Sequence, residues 1–302
     1  MKRRRLALAA LMLAGLGAAC SCGKKERPVI AVVPKGQAHV FWQAVHAGAV
    51  AAGRDLGVDI LWNGPASEID FSRQIGIVDD FLNRRVDGLL LAPSHGESLV
   101  PVVERAAREN IPVVIMDSGI QTDQYVSYVS TDNYKGGALA AERMIEILPK
   151  GGKVAVLATI PGSVSTGERE KGFQETLARK AGNIRIVALQ YGMSDRAKSL
   201  AVAEDILTAN PDLAAVFCSN ESGTIGTVQG AKSKGVAGKL KIVGFDSSPT
   251  VLEDLQAGLI DSLVVQNPFR MGYLGVESVV GQLRGKPPAR RIDTGATVVT
   301  RA

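Results

Sequence analysis

The sequence predicts an α/β protein of two similar lobes, each a parallel sheet layered between helices, with polar groups of both lobes facing one cleft. Three observations lead there. Short runs that are apolar throughout recur from Val29 to Thr300, and strands of that kind belong to sheets covered on both faces. Amphipathic or Ala-rich stretches separate the runs, and strand–helix alternation gives parallel pairing in a three-layer αβα arrangement. The second half also repeats the grammar of the first. Ile111-Pro-Val-Val-Ile-Met-Asp117-Ser118 and Lys241-Ile-Val-Gly-Phe-Asp246-Ser247 each end a buried run on Asp-Ser. A carboxylate at the carboxyl end of a parallel strand sits where open α/β sheets bind ligands.

The first 19 residues read as a processing segment. Lys2 to Arg5 precede the apolar run Leu6–Leu16, followed by Gly17-Ala18-Ala19 and Cys20. A run of 11 residues is too short to span a bilayer but suits a secretory signal. Small residues before a cysteine resemble a bacterial lipoprotein cleavage site, which implies a lipidated Cys20 and residues 20–27 as a lipidated tether. Gly17 stands where that motif usually carries an aliphatic residue, and simple cleavage after Ala19 is the alternative. Either route exports the chain to the periplasm or the outer face of the cell membrane.

The formal charge of +5 comes mostly from this segment; from residue 20 onward there are 31 basic against 30 acidic residues. The body of the protein therefore has no basic excess that calls for nucleic acid or a membrane surface. Hydrophobic residues make up 46% of the chain, enough for two ordinary cores. Cys20, Cys22 and Cys218 imply no disulfide framework, and Cys218, inside Ala214-Ala-Val-Phe-Cys218, reads as a core thiol.

In order, Val29–Val33 is a buried strand and Phe41–Asp55 a helix; Val58–Trp62 is a strand. Phe71, Ile75, Val78 and Leu82 share one helical face. Gly88–Ala92 is the third strand, Leu99 to Ala107 the third helix, and Ile111–Met116 the fourth strand. Tyr125–Ser130 is a further strand, and Thr131-Asp132-Asn133 caps a helix to Ile147. The pattern then restarts: strand Lys153–Thr159, helix Arg169–Arg179, strand Ile184–Leu189, helix Ala197–Ala209, strand Ala214–Cys218, helix Gly223–Lys234. Strand Lys241–Phe245, helix Thr250–Ala257, a strand from Asp261 ending on Gln266, helix Arg270–Leu283 and one closing strand within Arg291–Thr300 complete it. Asp87-Gly-Leu-Leu-Leu-Ala-Pro-Ser94 precedes Asp117 as Asp212-Leu-Ala-Ala-Val-Phe-Cys-Ser219 precedes Asp246, with Asp-to-Asp separations of 30 and 34 residues. The architecture is duplicated with little residue identity.

Enzyme motifs fail. Lys150-Gly-Gly-Lys153 lacks the spacing of a phosphate loop, Ser165 lacks the preceding Gly of a nucleophile elbow, and His39, His46 and His95 show no metal spacing. The expectation is a binding protein with no catalytic residue, cofactor or metal. Strand ends carry the better signal: Lys35, His39, Phe41 and Trp42 after the first strand, Ser94 after the third, Asp117 after the fourth. In the second half stand Arg169 opening a helix, Asn220, Asp246 and Gln266. Carboxylates accept from paired hydroxyls, Arg donates to them, and an aromatic face covers ring C–H groups while excluding water. Such a set suits a neutral polyhydroxylated ligand.

From about Pro28 to the C-terminus the chain resembles the periplasmic sugar-binding proteins of the ribose-binding type, which share their fold with the ligand domain of lactose-repressor-like regulators. The resemblance rests on Asp87-Gly-Leu-Leu-Leu-Ala-Pro, Ile111-Pro-Val-Val-Ile-Met-Asp, Thr131-Asp-Asn, Arg169-Glu-Lys-Gly-Phe173, Ala215-Val-Phe-Cys-Ser-Asn220 and Ile242-Val-Gly-Phe-Asp246. It implies ligand groups at Lys35, His39, Phe41, Trp42, Asp117, Arg169, Asn220, Asp246 and Gln266, and a three-strand hinge near 130–131, 266–267 and 292–293. The lobes are then 28–130 plus 267–292 and 131–266 plus 293–302. It further implies a monomer that closes on a sugar or polyol and delivers it to an ABC-type permease. The first lobe departs from the pattern: ribose binders carry Ser and Asn where this chain has Lys35 and His39, and Asp-Arg where it has Asp117-Ser118. A receptor module feeding a sensor kinase or chemoreceptor is the alternative. A repressor-like regulator fits less well, because only a few residues separate Cys20 from the first strand.

Overall fold

The computed structural model describes residues 27–301 of the chain. The signal segment 1–19, Cys20, Cys22 and the tether up to residue 26 lie outside the described residues. The first sheet holds β1 (Val29–Val33), β2 (Asp59–Trp62), β3 (Gly88–Leu91), β4 (Val113–Met116), β5 (Ser127–Ser130) and β11 (Arg291–Asp293), in the order β11-β5-β4-β3-β1-β2. The second holds β6 (Gly152–Ala158), β7 (Ile184–Tyr191), β8 (Leu213–Cys218), β9 (Lys241–Phe245), β10 (Ser262–Gln266) and β12 (Ala296–Thr300), in the order β12-β10-β9-β8-β6-β7. The two orders correspond strand for strand, so the duplication read from the sequence is a duplication of topology.

Alternation along each strand builds a core on both faces. Ile30 and Val32 pack under α1 (Val40–Leu56) and α9 (Pro268–Leu283). Ala31 and Val33 pack on the other face, under α2 (Phe71–Asn83) and α3 (Val100–Arg108). In the second lobe α4 (Asn133–Ile147) and α5 (Val164–Lys180) cover one face, where Phe173 stacks on Phe217. The other face lies under α6 (Arg196–Ala209), α7 (Glu221–Ser233) and α8 (Pro249–Gln256). Cys218 is fully buried there beside Thr227, and burial pushes its thiol up to about 12. It is a core residue.

Two expectations are corrected. The closing stretch is two strands in different sheets: β11 runs parallel to β5, whereas β12 runs antiparallel to β10. Gly295, at φ +80, makes the turn between them, a conformation that costs glycine little. The second sheet thus has an antiparallel edge. The helix expected to open at Arg169 begins at Val164, with Ser163 as its N-cap, so Arg169 lies more than a turn inside.

The chain passes between the sheets three times, from β5 to α4, from β10 to α9 and from β11 to β12. Two crossings are bonded together: Thr131 Oγ1 donates to the Gly295 carbonyl at 3.2 Å, and Asp293 Oδ1 accepts from the Asp132 N–H at 3.1 Å.

Candidate functional site

The strand ends of both lobes face each other across one cleft. Asp117 and Asp246 occupy equivalent places, each just past its strand. Each adopts a left-handed backbone, φ 61 and 71, which is uncommon outside glycine and typical of functional turns. The Asp117 N–H donates to the Val129 carbonyl and the Asp246 N–H to that of Val264, both at 3.0 Å. One backbone bond, made twice, turns each carboxylate toward the cleft.

Nine of the ten sequence-predicted residues line one cavity of about 390 Å³: Lys35, His39, Phe41, Trp42, Asp117, Arg169, Asn220, Asp246 and Gln266. Ser94 is not among them. Its hydroxyl donates to Gln74 Oε1 at 2.7 Å, and Gln74 Nε2 donates to the carbonyls of Pro34 and Ala92. Ser94 thus braces the ends of β1 and β3 behind the site.

Four lining residues escaped the sequence reading: Glu68, Ser165, Thr166 and Glu221. Glu68 lies after β2, at the same sheet edge as the others, and Glu221 directly follows Asn220; position alone marked both. Ser165 and Thr166 were hidden by the misplaced start of α5. Asn133, read from the sequence only as part of a helix cap, also belongs here. Its Oδ1 accepts from Arg169 Nε at 2.8 Å and its Nδ2 donates to the Asp117 carbonyl at 3.3 Å, so it joins the two lobes' binding groups behind the cavity.

A model of the periplasmic binding protein domain matches residues 30–287. The chain belongs to the periplasmic binding protein family. This periplasmic binding protein is 33% identical over 258 residues to the D-allose-binding periplasmic protein of Escherichia coli, covering 83% of each chain. Among solved structures it resembles an ABC transporter solute-binding protein from Agrobacterium vitis with bound D-fucose, with a TM-score of 0.87, 38% identity and coverage of 90% of this chain and 95% of that one. Another from the same organism, bound with α-D-tagatopyranose, gives a TM-score of 0.88 at 31% identity, covering 91% and 95%.

In this periplasmic binding protein the departures from the ribose-binding pattern fall together. Lys35 Nζ lies 2.9 Å from Asp117 Oδ2 and donates to Ser165 Oγ at 2.8 Å and Ser163 Oγ at 3.3 Å. An ammonium has three donors, and here all three are taken by protein. The cation beside Asp117 comes from the end of β1 rather than from the residue after it, where Ser118 instead accepts from the Ser165 N–H at 3.0 Å. His39 Nε2 lies 3.2 Å from Ser194 Oγ and 3.3 Å from Ser222 Oγ. Ser194 Oγ donates to Glu68 Oε2 at 3.0 Å, and Glu68 Oε1 accepts from Trp42 Nε1 at 2.8 Å. Lys35 and His39 therefore bond across the cleft to the other lobe.

The second-lobe groups are fixed from behind. Arg169 is 3% exposed, donates through Nη1 to the Ser219 carbonyl at 3.0 Å and stacks over Phe245 at 4.1 Å. Asp246 Oδ1 accepts from Gln266 Nε2 at 2.7 Å. Desolvation in the enclosed cleft raises the Asp246 pKa, with Glu221 and Asp117 adding to the rise and Arg169 and Gln266 opposing it. Thr166 Oγ1 and Gln266 Oε1 are buried without a hydrogen-bond partner, a costly state that a ligand relieves. Among the described residues no His, Cys, Asp and Glu cluster is placed to hold a metal ion, and no helix is long and apolar enough to cross a membrane.

Proposed function

We propose that this protein captures a neutral monosaccharide or related polyol between its lobes and delivers it to an ABC-type permease. The observation that carries the reading is the cavity wall: Asp117 from one lobe, Arg169, Asn220 and Asp246 from the other, and two buried polar atoms still lacking partners. The carboxylates accept from ligand hydroxyls, Arg169 and Asn220 donate to them, and Phe41 or Trp42 covers a ring face. The D-allose, D-fucose and D-tagatopyranose named for the relatives are neutral hexoses, one of them a deoxysugar and one a ketose, and the same class suits these groups. Lys35 enters as a clamp on Asp117 and not as a donor to the sugar, since its three N–H groups are already engaged.

The lobes follow the two sheets, residues 28–130 plus 267–293 and 131–266 plus 296–301, in place of the expected boundary at 292–293, and hinge at the three crossings. The mature chain is a monomer held to the membrane through a lipid on Cys20, so that Cys20→Ala releases it into the soluble periplasmic fraction.

A thermal-shift screen of the mature protein against aldoses, ketoses and polyols tests the reading, because a ligand that binds only the folded state raises the Tm. A shift with one or a few sugars, abolished in Asp117→Asn/Asp246→Asn, is the expected result. No shift with any sugar or polyol overturns the sugar reading, and a shift that survives the double substitution overturns the site.

A further inference from the structure

Beside Phe41 a second cavity adjoins the first. The two share four lining residues, Phe41, Glu221, Asp246 and Gln266, so they meet at these side chains. The rest of the second cavity is lined by the apolar Val40, Ala44 and Pro268 and by Ser247 and Ser248. Ser248 is 3% exposed and its Oγ has no partner; Gln266, 7% exposed and lining both cavities, has no partner for Oε1. Because Gln266 turns its amide N–H toward the Asp246 carboxylate, the atom left over is an acceptor and calls for a donor.

Resting on the sugar reading, we infer that this side cavity is a subsite for a substituent on the bound sugar. The natural ligand is then an O-substituted monosaccharide rather than a free one. The chemistry of the walls narrows the substituent. Two carboxylates, Glu221, paired with Arg196, and Asp246, stand among the shared residues and favour a neutral substituent over an anionic one. Gln266 Oε1 asks for a hydroxyl donor, and Ser248 Oγ for a polar partner. The apolar sides pack a short carbon chain between them. A short, neutral, hydroxyl-bearing alkyl group meets all of these demands.

Titration calorimetry on the full mature protein tests the subsite. The ligands are the monosaccharide giving the largest thermal shift and its mono-O-(2-hydroxyethyl) derivatives, made at each hydroxyl in turn. One positional isomer is expected to bind at least as tightly as the parent sugar. Ala44→Phe, which fills the side cavity, is expected to weaken that isomer about tenfold or more, and Ser248→Ala to weaken it by about threefold. Both variants keep the affinity for the parent sugar. If the parent sugar binds and every O-substituted isomer is rejected, or if the variants weaken parent and derivative alike, the subsite falls and the sugar reading stands. If neither parent nor derivative binds, both fall.

Discussion

Asp246 shows what a binding residue costs the fold that carries it. Its carboxyl pKa is raised, chiefly by desolvation in the cleft, so the folded chain holds a proton there more tightly than the unfolded chain does. The sign follows from linkage: between the unfolded and folded pKa values, stability falls as pH rises, and above the folded value the full cost persists. Asp246→Asn is therefore expected to raise the ligand-free Tm at pH 7. In scanning calorimetry this gain should shrink as the pH falls toward about 4, the ordinary carboxylate range. The same variant should bind sugar about a hundredfold more weakly, having lost charged hydrogen bonds. A lower Tm at pH 7 would show that the ionised carboxylate stabilises the free protein. At this scale the sequence was legible wherever a polar residue closes an apolar run, as at Asp117, Asp246 and Gln266. It misled at Ser94, which follows the same rule, because only folding shows that Gln74 on α2 takes its hydroxyl. At Asn133 it showed only a helix cap, because the bonds of that side chain join groups far apart in the chain.

Periodicity located most elements, because each apolar run is too short to be anything but a strand and each striped stretch has one core face. It failed where local chemistry was spent elsewhere. Gly162-Ser163-Val164-Ser165-Thr166-Gly167 has poor helix propensity, yet α5 starts there. Its N-cap Ser163 makes no side-chain bond to its own helix and instead accepts from Lys35. The closing stretch failed for another reason: only Thr294 and Gly295 separate β11 from β12, and the partners waiting in two sheets divide them. Helix pairing, in turn, rests on residues that carry no apolar signal. A Cβ added to Gly137 of α4 would overlap the carbonyl of Arg169 on α5, and one added to Gly172 of α5 would overlap that of Tyr134 on α4. The two helices are in backbone contact at the turn that presents Arg169. Gly137→Ala should destabilise the fold by about 1–3 kcal/mol in urea unfolding, although alanine is the better helix former by about 1 kcal/mol. Sugar affinity should fall with it, as α5 carries Arg169 outward. A gain in stability would mean that the helices part without strain.

The whole molecule works as two copies of one sheet order whose carboxyl edges meet, and its specificity is divided unequally between them. The second lobe offers Arg169, Asn220, Asp246 and Gln266 to the cavity, whereas in the first the distinctive residues, Lys35 and His39, also bond to the opposite lobe. Closure is therefore stabilised by protein–protein bonds as well as by the sugar, and any differential affinity between open and closed states sets the position of that equilibrium. Two of these bonds separate the effects cleanly. Ser163 accepts from Lys35, Ser118 accepts from the Ser165 N–H, and neither Ser163 nor Ser118 lines the cavity. Changing them leaves the Lys35–Asp117 pair intact within the first lobe and removes no side chain that lines the cavity. Ser118→Ala/Ser163→Ala should lose about 2 kcal/mol from the closed state, roughly a thirtyfold faster release of sugar. Stopped-flow measurement should place this change in the dissociation rate, with the association rate nearly unchanged, since the sugar enters before the lobes meet. Small-angle scattering of the sugar-free variant should show a larger radius of gyration than that of the unsubstituted protein. If release is no faster, the cross-cleft bonds form without favouring closure, and the sugar alone holds the lobes together.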